Sequence, residues 1–346
     1  MTNASRDQRN LCAVCVDLGT TNTRVWLMCD EQIVASVSDL MGIRDAARDG
    51  RQEITRDLRG LVTKLLYEAD RGAKSCAPKY IVAAGMIGSN LGLVEVPHIQ
   101  PPTGIAELTA AARWHYFPDI FDLPMLLVPG VRSGPMSADL TSINQGDVMR
   151  GEETLCAGIV ALGMVTPPTI VMNFGSHWKA IQLDGDGRVQ SSVTSLSGEL
   201  IHAVQSHTVL TGSLPGERPQ RLSPEWIEAG MEEHRRSGLA RALFCTRLLD
   251  LARQGTPEHR LAFVVGAFIA SDLDALIARG ALAPDARVTL VGHSAISEAW
   301  QNALSRMRIA ATIITPHQAE TALLEALRRI LAGALRSQES ISRPSS

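Results

Sequence analysis

The sequence predicts an α/β protein made of two duplicated domains, and three observations predict it. The first is the stretch Asp17-Leu18-Gly19-Thr20-Thr21-Asn22-Thr23-Arg24, which follows a short apolar run at 11–16 and precedes strand-like runs at 25–28 and 33–37. The second is its recurrence 156 positions on, without a gap. Asp17-Leu18-Gly19-Thr20 falls on Asn173-Phe174-Gly175-Ser176, Val25 and Leu27 fall on Ile181 and Leu183, and Asp30 falls on Asp186. Ile33-Val34-Ala35-Ser36-Val37-Ser38 falls on Val189-Gln190-Ser191-Ser192-Val193-Thr194. The third is a late strand, glycine turn and helix over 287–307.

In the first half, strands are expected at 11–17, 23–29 and 32–38. A charged loop follows at 39–52. Leu58, Leu61, Val62, Leu65 and Leu66 then recur at helical spacing. Pro78 introduces a strand at 80–84, which ends in Ala84-Gly85-Met86-Ile87-Gly88-Ser89-Asn90; glycine-rich turns at strand ends are where α/β folds place ligands. Pro101-Pro102 breaks an extended segment before a helix at 104–115 and a strand at 125–128. A long polar loop, 131–146, leads into Asp147-Val148-Met149-Arg150-Gly151-Glu152-Glu153-Thr154 and a helix reaching 164. Glu152 and Glu153 stand in its first turn, where negative charge suits the helix dipole.

Pro167-Pro168 marks the boundary between halves. The second half repeats strands at 169–173, 178–183 and 188–194, with Asp184-Gly185-Asp186-Gly187 as a hairpin turn. Residues 197–280 read as mostly helical. A strand at 287–291, the turn Gly292-His293-Ser294, a helix at 295–307, a strand at 309–314 and a helix at 318–335 follow. The expected division is therefore 10–166, 167–336 and a disordered tail at 337–346, rich in Ser and Arg.

The chain has 346 residues, 45% hydrophobic and 20% charged, with net charge −3. That composition is globular and gives no support for nucleic-acid binding. The first ten residues lack an apolar signal core, and the longest apolar run, Leu261–Ala270, falls short of a membrane span. Cys12 and Cys15 are three apart on a strand and point to opposite faces, so they read as buried thiols, as a reducing cytoplasm would allow.

A strand that delivers a carboxylate, a glycine and hydroxyls into a tight turn is suited to phosphate. Gly19 admits close backbone approach, and the hydroxyls and amides of Thr20, Thr21 and Asn22 face an anion. Asp17 is an oxygen ligand for Mg2+, often through water. Gly175 and Ser176 offer a second such turn, with His177 and Lys179 beside it on alternate positions.

These motifs resemble the sugar kinase/actin/Hsp70 ATPase fold, that is, two actin-like (ribonuclease H-like) domains around an ATP cleft. Within it the chain resembles the 2-dehydro-3-deoxygalactonokinases. The resemblance rests on residues 17–24, 84–90 and 147–154, and is extended by Gly175-Ser176-His177 with Lys179 and by Ser197-Gly198-Glu199-Leu200. The 147–154 motif is the specific one. Two stretches depart from the family: Phe174-Gly175-Ser176-His177-Trp178-Lys179-Ala180 stands where Pro-Gly-Thr-His-Ser-Lys-Trp is expected, and Gly92-Leu93-Val94-Glu95-Val96-Pro97-His98 where Gly-Trp-Lys-Glu-Ala-Pro-Tyr is expected.

The resemblance implies Mg2+-dependent transfer of the ATP γ-phosphate to a 2-keto-3-deoxy sugar acid in galactonate catabolism. It needs positioning, a metal and a carboxylate base. Asp147 is the candidate base, with a surface helix cap as its competing role and Glu152 and Glu153 as weaker candidates, their competing role being helix-start electrostatics. Arg150 is the candidate for the substrate carboxylate, with Arg24 and Arg132 as alternatives. Ser89, Asn90 and Glu152 are candidate substrate contacts, and Gly292, His293 and Ser294 resemble the adenosine-side turn. The expected partners are ATP and the sugar acid, with no nucleic acid or membrane, and with a homodimer permitted. A kinase of the same fold for another sugar or polyol, or a nucleotide-dependent regulator, is an open alternative on the residues alone.

Overall fold

The computed structural model describes residues 11–43, 51–71, 77–135, 139–217 and 219–342. The charged run 44–50 and the tail 343–346 lie outside them. The chain divides into one unit of residues up to Met164 together with those from Thr321 onward, and a second of Val165–Glu320.

The first unit opens with β1 (Cys12–Leu18), β2 (Thr23–Cys29) and β3 (Gln32–Asp39), then α1 (Arg51–Asp70), β4 (Tyr80–Gly85), α2 (Ile105–Ala111), β5 (Arg113–Tyr116) and β6 (Pro124–Leu127). Their sheet has the order β3-β2-β1-β4-β6-β5, with β4 parallel to both β1 and β6. The middle strands are covered on both faces, which is why they read as continuous apolar runs. Val14, Val16 and Leu18 of β1 join Leu58, Val62 and Leu65 of α1 in one core. Ala13 and Cys15 point the other way, into a core with Leu323, Leu327, Ile330 and Leu331 of the terminal helix α9 (Pro316–Ser342).

Three expectations need correction here. The helix expected over 104–115 stops at Ala111, because Trp114 turns inward against Tyr80 (ring centroids 5.8 Å apart) and 113–116 pair with β6 as an edge strand. From Thr321 onward the terminal helix belongs to the first unit, not to a domain spanning 167–336. Its apolar stripe packs on the β1 face that carries Ala13 and Cys15, and Gly158 lies so close to the Ala322 backbone that a side chain there would overlap it. Nor does order end at 336: the polar sequence continues α9 to Ser342. The chain then completes this unit with a ribbon of β7 (Val131–Ser133) and β8 (Asp147–Met149), followed by α3 (Glu152–Ala161).

The second unit contains β9 (Thr169–Phe174), β10 (Trp178–Leu183), β11 (Val189–Ser195), α4 (Ser197–His207), α5 (Pro224–Ser237), α6 (Leu239–Leu251), α7 (Pro257–Ala278), β12 (Val288–Gly292), α8 (Ser294–Arg306) and β13 (Ala311–Ile313). The sheet order β11-β10-β9-β12-β13 reproduces β3-β2-β1-β4-β6 strand for strand, so the duplication inferred from sequence is a duplication of topology. Helix α7 is long and apolar enough to cross a membrane, yet Leu261, Val264, Val265, Phe268 and Ile269 make it the core helix of this unit.

Register shows where the copies differ. Leu18 pairs with Thr23, whereas Phe174 pairs with Trp178, so the second turn is one residue shorter. The longer hairpin between β10 and β11 restores the alignment: Val25 pairs with Val37, and Ala180 with Val193.

Cys12 and Cys29 face each other across β1 and β2 and are disulfide-bonded, which corrects the reading of Cys12 as a thiol. Cys15 is a buried free thiol, and burial pushes it up to about 12.

Candidate active site

In the first unit, β1 ends at Asp17 and Leu18 and releases the turn Gly19–Asn22. The Gly19 N–H donates to the Asn22 carbonyl (2.9 Å) and the Ile43 N–H to the Gly19 carbonyl (3.1 Å). Thr20, Thr21 and Asn22 stay half-buried, accessible to a ligand. The chain after β3 braces this turn. Gly42 packs on the Thr20–Thr21 peptide, where any side chain would overlap the Thr20 carbonyl, and the Thr23 hydroxyl donates to the Met41 carbonyl (2.7 Å). A sequence signal for Gly42 exists in the repeat: Gly198 stands 156 positions later, the same offset as the rest.

The Asp17 carboxylate faces Arg24 in register, with Oδ2 3.7 Å from Arg24 Nη2. Burial raises the Asp17 carboxyl above its usual value; Arg24 opposes the rise, and the Glu152 charge adds to it. An oxygen donor held in this way, with a second carboxylate in its field, would be relieved by a divalent cation, so the residues fit Mg2+.

Beside Asp17, β4 ends in Gly85 (φ 82), and the Gly151 backbone (φ 114) lies against it. A Cβ on Gly151 would sit 3.4 Å from Gly85 Cα, and one on Gly85 would sit 3.2 Å from Asp17 Oδ1. Both are left-handed backbone positions that favour glycine. Gly151 also ends the strand ribbon, and the helix begins at Glu152, with Glu152 and Glu153 in its first turn as expected. Asp147 lies on β8 opposite Ser133, half-buried, on the same side of the strand as the buried Met149. The structure brings together Asp17, the Gly19–Asn22 turn, Gly85, Gly151 and Glu152. Asp147 stands on the ribbon, at the start of β8 and four residues before Gly151.

Glu153 is 1% exposed, and both its oxygens accept the Gly151 N–H (2.8 Å each), while Oε1 also accepts the Thr154 hydroxyl (3.0 Å). Burial, then the Glu152 charge, pushes its carboxyl up to about 7, against these hydrogen bonds. Glu152 Oε2 accepts the Arg150 N–H (3.2 Å).

Arg150 points into the segment after the Met86–Gly88 turn. Its Nη2 donates to the Val96 carbonyl (2.9 Å) and lies 3.3 Å from His98 Nδ1, while Nη1 is buried with no hydrogen-bond partner among the described residues. Burial, then Arg150 and Arg132, lowers the His98 imidazole, so its neutral Nδ1 can accept from Arg150. Much of this guanidinium therefore stitches the 88–98 segment together. Ser89 is buried, and its hydroxyl donates to the Met86 carbonyl (2.7 Å), closing a turn; Asn90 is exposed.

In the second unit, Gly175, Ser176 and His177 form the matching turn. Gly198 packs on the Gly175 and Ser176 carbonyls as Gly42 packs on Thr20. His177 Nε2 lies 3.6 Å from Glu199 Oε1. Lys179 is 6% exposed, and its Nζ donates to the Thr194 hydroxyl (2.8 Å), so it is a buried strand residue rather than an exposed one. Gly292 lies against the Phe174 carbonyl, which the His293 N–H approaches at 3.4 Å, and Ser294 opens α8 at an accessible helix N-terminus. The Gly175 and Gly292 turns, which are far apart in sequence, thus meet at Phe174. Phe174, Trp178, Trp300 and Asp272 also line a cavity of about 180 Å³. Asp272 is absent from the sequence-based candidates, since no local pattern marks it.

The model of the 2-keto-3-deoxy-galactonokinase family matches residues 17–330. The 2-dehydro-3-deoxygalactonokinase of Escherichia coli is 28% identical over 332 residues, covering 92% of this chain and 96% of that protein. A Sinorhizobium meliloti crystal structure, provisionally named a 2-dehydro-3-deoxygalactonokinase, has a TM-score of 0.70 at 23% identity and covers 94% of this chain and 99% of that one. The activator of 2-hydroxyisocaproyl-CoA dehydratase from Clostridium difficile, solved with bound ADPNP, has a TM-score of 0.50 at 15% identity over 97% of this chain and 100% of that one. These structures bear out the actin-like α/β fold, and the family match spans both units. The chain belongs to the 2-keto-3-deoxy-galactonokinase family.

Proposed function

We propose that the chain transfers the γ-phosphoryl group of ATP to the 6-hydroxyl of 2-keto-3-deoxy-galactonate, giving the 6-phosphate and ADP. The observation that carries the reading is the convergence of Asp17, Gly85 and Gly151, which joins the phosphate-suited turn to the 147–154 motif within one unit. Thr20, Thr21 and Asn22, and in the other unit Gly175 and Ser176, supply amides and hydroxyls to phosphate oxygens. Asp17 would hold Mg2+, which neutralises charge on the phosphates when bound. Asp147 takes the proton of the acceptor hydroxyl. The new O–P bond forms as the bond from the γ-phosphorus to the β–γ bridging oxygen breaks, and ADP leaves with that electron pair. Arg150, through Nη1, and Asn90 and Glu152 orient the sugar acid; Gly292, His293 and Ser294 flank the adenosine.

A cytoplasmic setting fits a kinase acting on a small metabolite, and there the Cys12–Cys29 bond would be reduced. The test is ADP release from Mg-ATP with 2-keto-3-deoxygalactonate, 2-keto-3-deoxygluconate, glucose, glycerol or no acceptor. Release that depends on the galactonate-derived acid, and is lost in Asp147→Asn with ADP binding intact, supports the reading. Release that is independent of any acceptor overturns it.

A further inference from the structure

The two turns are braced alike but pinned differently. In the first unit Gly42 rests on the turn, and the preceding residue, Met41, is held through its carbonyl by the Thr23 hydroxyl. In the second, Gly198 rests on the Gly175 and Ser176 carbonyls, and the preceding residue, Ser197, is 3% exposed. Its hydroxyl donates to Asp272 Oδ2 at 2.8 Å, and the same oxygen accepts the Ser195 hydroxyl at 2.6 Å. Asp272 comes from α7, 75 residues away in sequence from Ser197, so the pin anchors the brace to the core helix of the unit. It also ties down both sides of the β11–α4 junction. A carboxylate placed to receive two hydroxyls, and raised above its usual value by burial, is an unfavourable group to retain for packing alone.

We propose that Asp272 is a positioning residue for nucleotide: through Ser197 it holds Gly198 against the Gly175–Ser176 turn, and so fixes the backbone that receives an ATP phosphate. The proposal rests on the kinase reading. It assigns Asp272 no contact with substrate. Loss of the pin loosens one phosphate-binding turn and leaves the first unit, with its acceptor-side residues, unchanged. The effect therefore falls on ATP and not on the sugar acid.

The experiment uses the full chain and compares the parent with Asp272→Asn and Ser197→Ala. ADP affinity is measured by titration calorimetry, and KM is measured separately for ATP and for the sugar acid. Each variant is expected to weaken ADP binding and raise the ATP KM by about tenfold, the scale of one charge-assisted hydrogen bond, with the acceptor KM within about twofold. The double variant is expected to be no worse than the poorer single one, because both substitutions remove the same link. Ser197→Ala keeps the test open should Asp272→Asn fold poorly. Parent-like ADP affinity in a folded variant overturns the proposal, as does an equal loss for ATP and acceptor. Absence of ADP binding by the parent chain overturns the kinase reading, and this inference with it.

Discussion

Replacing Glu153 by Gln should make the protein more stable above pH 7 while making it a poorer enzyme. Glu153 is fully enclosed and its carboxyl lies at about 7, where an exposed glutamate has 4.5. That difference corresponds to about 3 kcal/mol favouring the protonated form. Because the folded value lies above the unfolded one, this stability is fully present below about pH 4.5. It is lost as pH rises toward 7 and is constant beyond. Gln is neutral throughout, and its Oε1 can still accept the Gly151 N–H. Its amide hydrogens lack a partner there, which costs on the order of 1 kcal/mol. The net expectation is a variant about 2 kcal/mol more stable than the parent at pH 8, and no more stable at pH 4.5. Urea unfolding of both proteins at the two pH values reads this, since titrating groups not coupled to Glu153 cancel in the difference. Activity should fall by about tenfold or more, because the charged carboxylate fixes Gly151 against Gly85 beside Asp17, and stability at such sites is commonly traded for function. A stability difference that is the same at both pH values would refute the reasoning, as would a variant that is less stable at pH 8.

Three further outcomes are expected. Gly42→Ala forces the Thr20 carbonyl aside and should weaken ADP binding by about tenfold or more, whereas Gly60→Ala, inside α1 with open space around it, should stabilise by about 1 kcal/mol; calorimetry and thermal melts read the two. Arg150→Lys can replace Nη2 beside the Val96 carbonyl and His98 Nδ1 with its single ammonium but has no counterpart of Nη1, so the acceptor KM should rise about tenfold with the ATP KM unchanged in steady-state assays. Reduction of the Cys12–Cys29 bond, or Cys12→Ser with Cys29→Ser, opens a loop of about 18 residues and should lower stability by about 3 kcal/mol in denaturant titrations.

The paired β-meanders are legible because their signal is local and stated twice: alternation within each strand, a glycine-hydroxyl turn, and the common offset. The elements that escape a sequence reading depend on distant partners. Residues 113–116 are a strand only because β6 offers an edge and Tyr80 receives Trp114. Asp147 reads as a loop residue ahead of the helix; that 147–149 form a strand depends on pairing with 131–133, and the positive φ of Gly151 that ends the ribbon has no sequence signature beyond the glycine itself. The terminal helix can be found by its period, but its apolar stripe does not say which sheet it will cover. Asp272 becomes visible only through its hydrogen bonds to the Ser195 and Ser197 hydroxyls, which composition does not report.

The positions where the two copies diverge bear on how they divide one task. In each unit the last polar residue of the first strand faces a cation across the antiparallel pair: Asp17 faces Arg24, and Asn173 faces Lys179. The cation is kept in both copies, and the carboxylate only in the first. Asp17 therefore brings negative charge to its turn, where burial and Glu152 raise its carboxyl despite Arg24. In the second copy Lys179 is turned toward Thr194 across the neighbouring strand, and the turn beside it carries no carboxylate of its own at the matching position. Both turns thus suit phosphate oxygens, from the same backbone template, and only the first adds a carboxylate suited to a metal ion. Asn173→Asp tests the division. It would pair with Lys179 and restore the first copy's charge pattern, and it should weaken ADP binding by placing a carboxylate beside the phosphate turn. If ADP affinity were unchanged, the charge difference between the copies would not be what separates their roles.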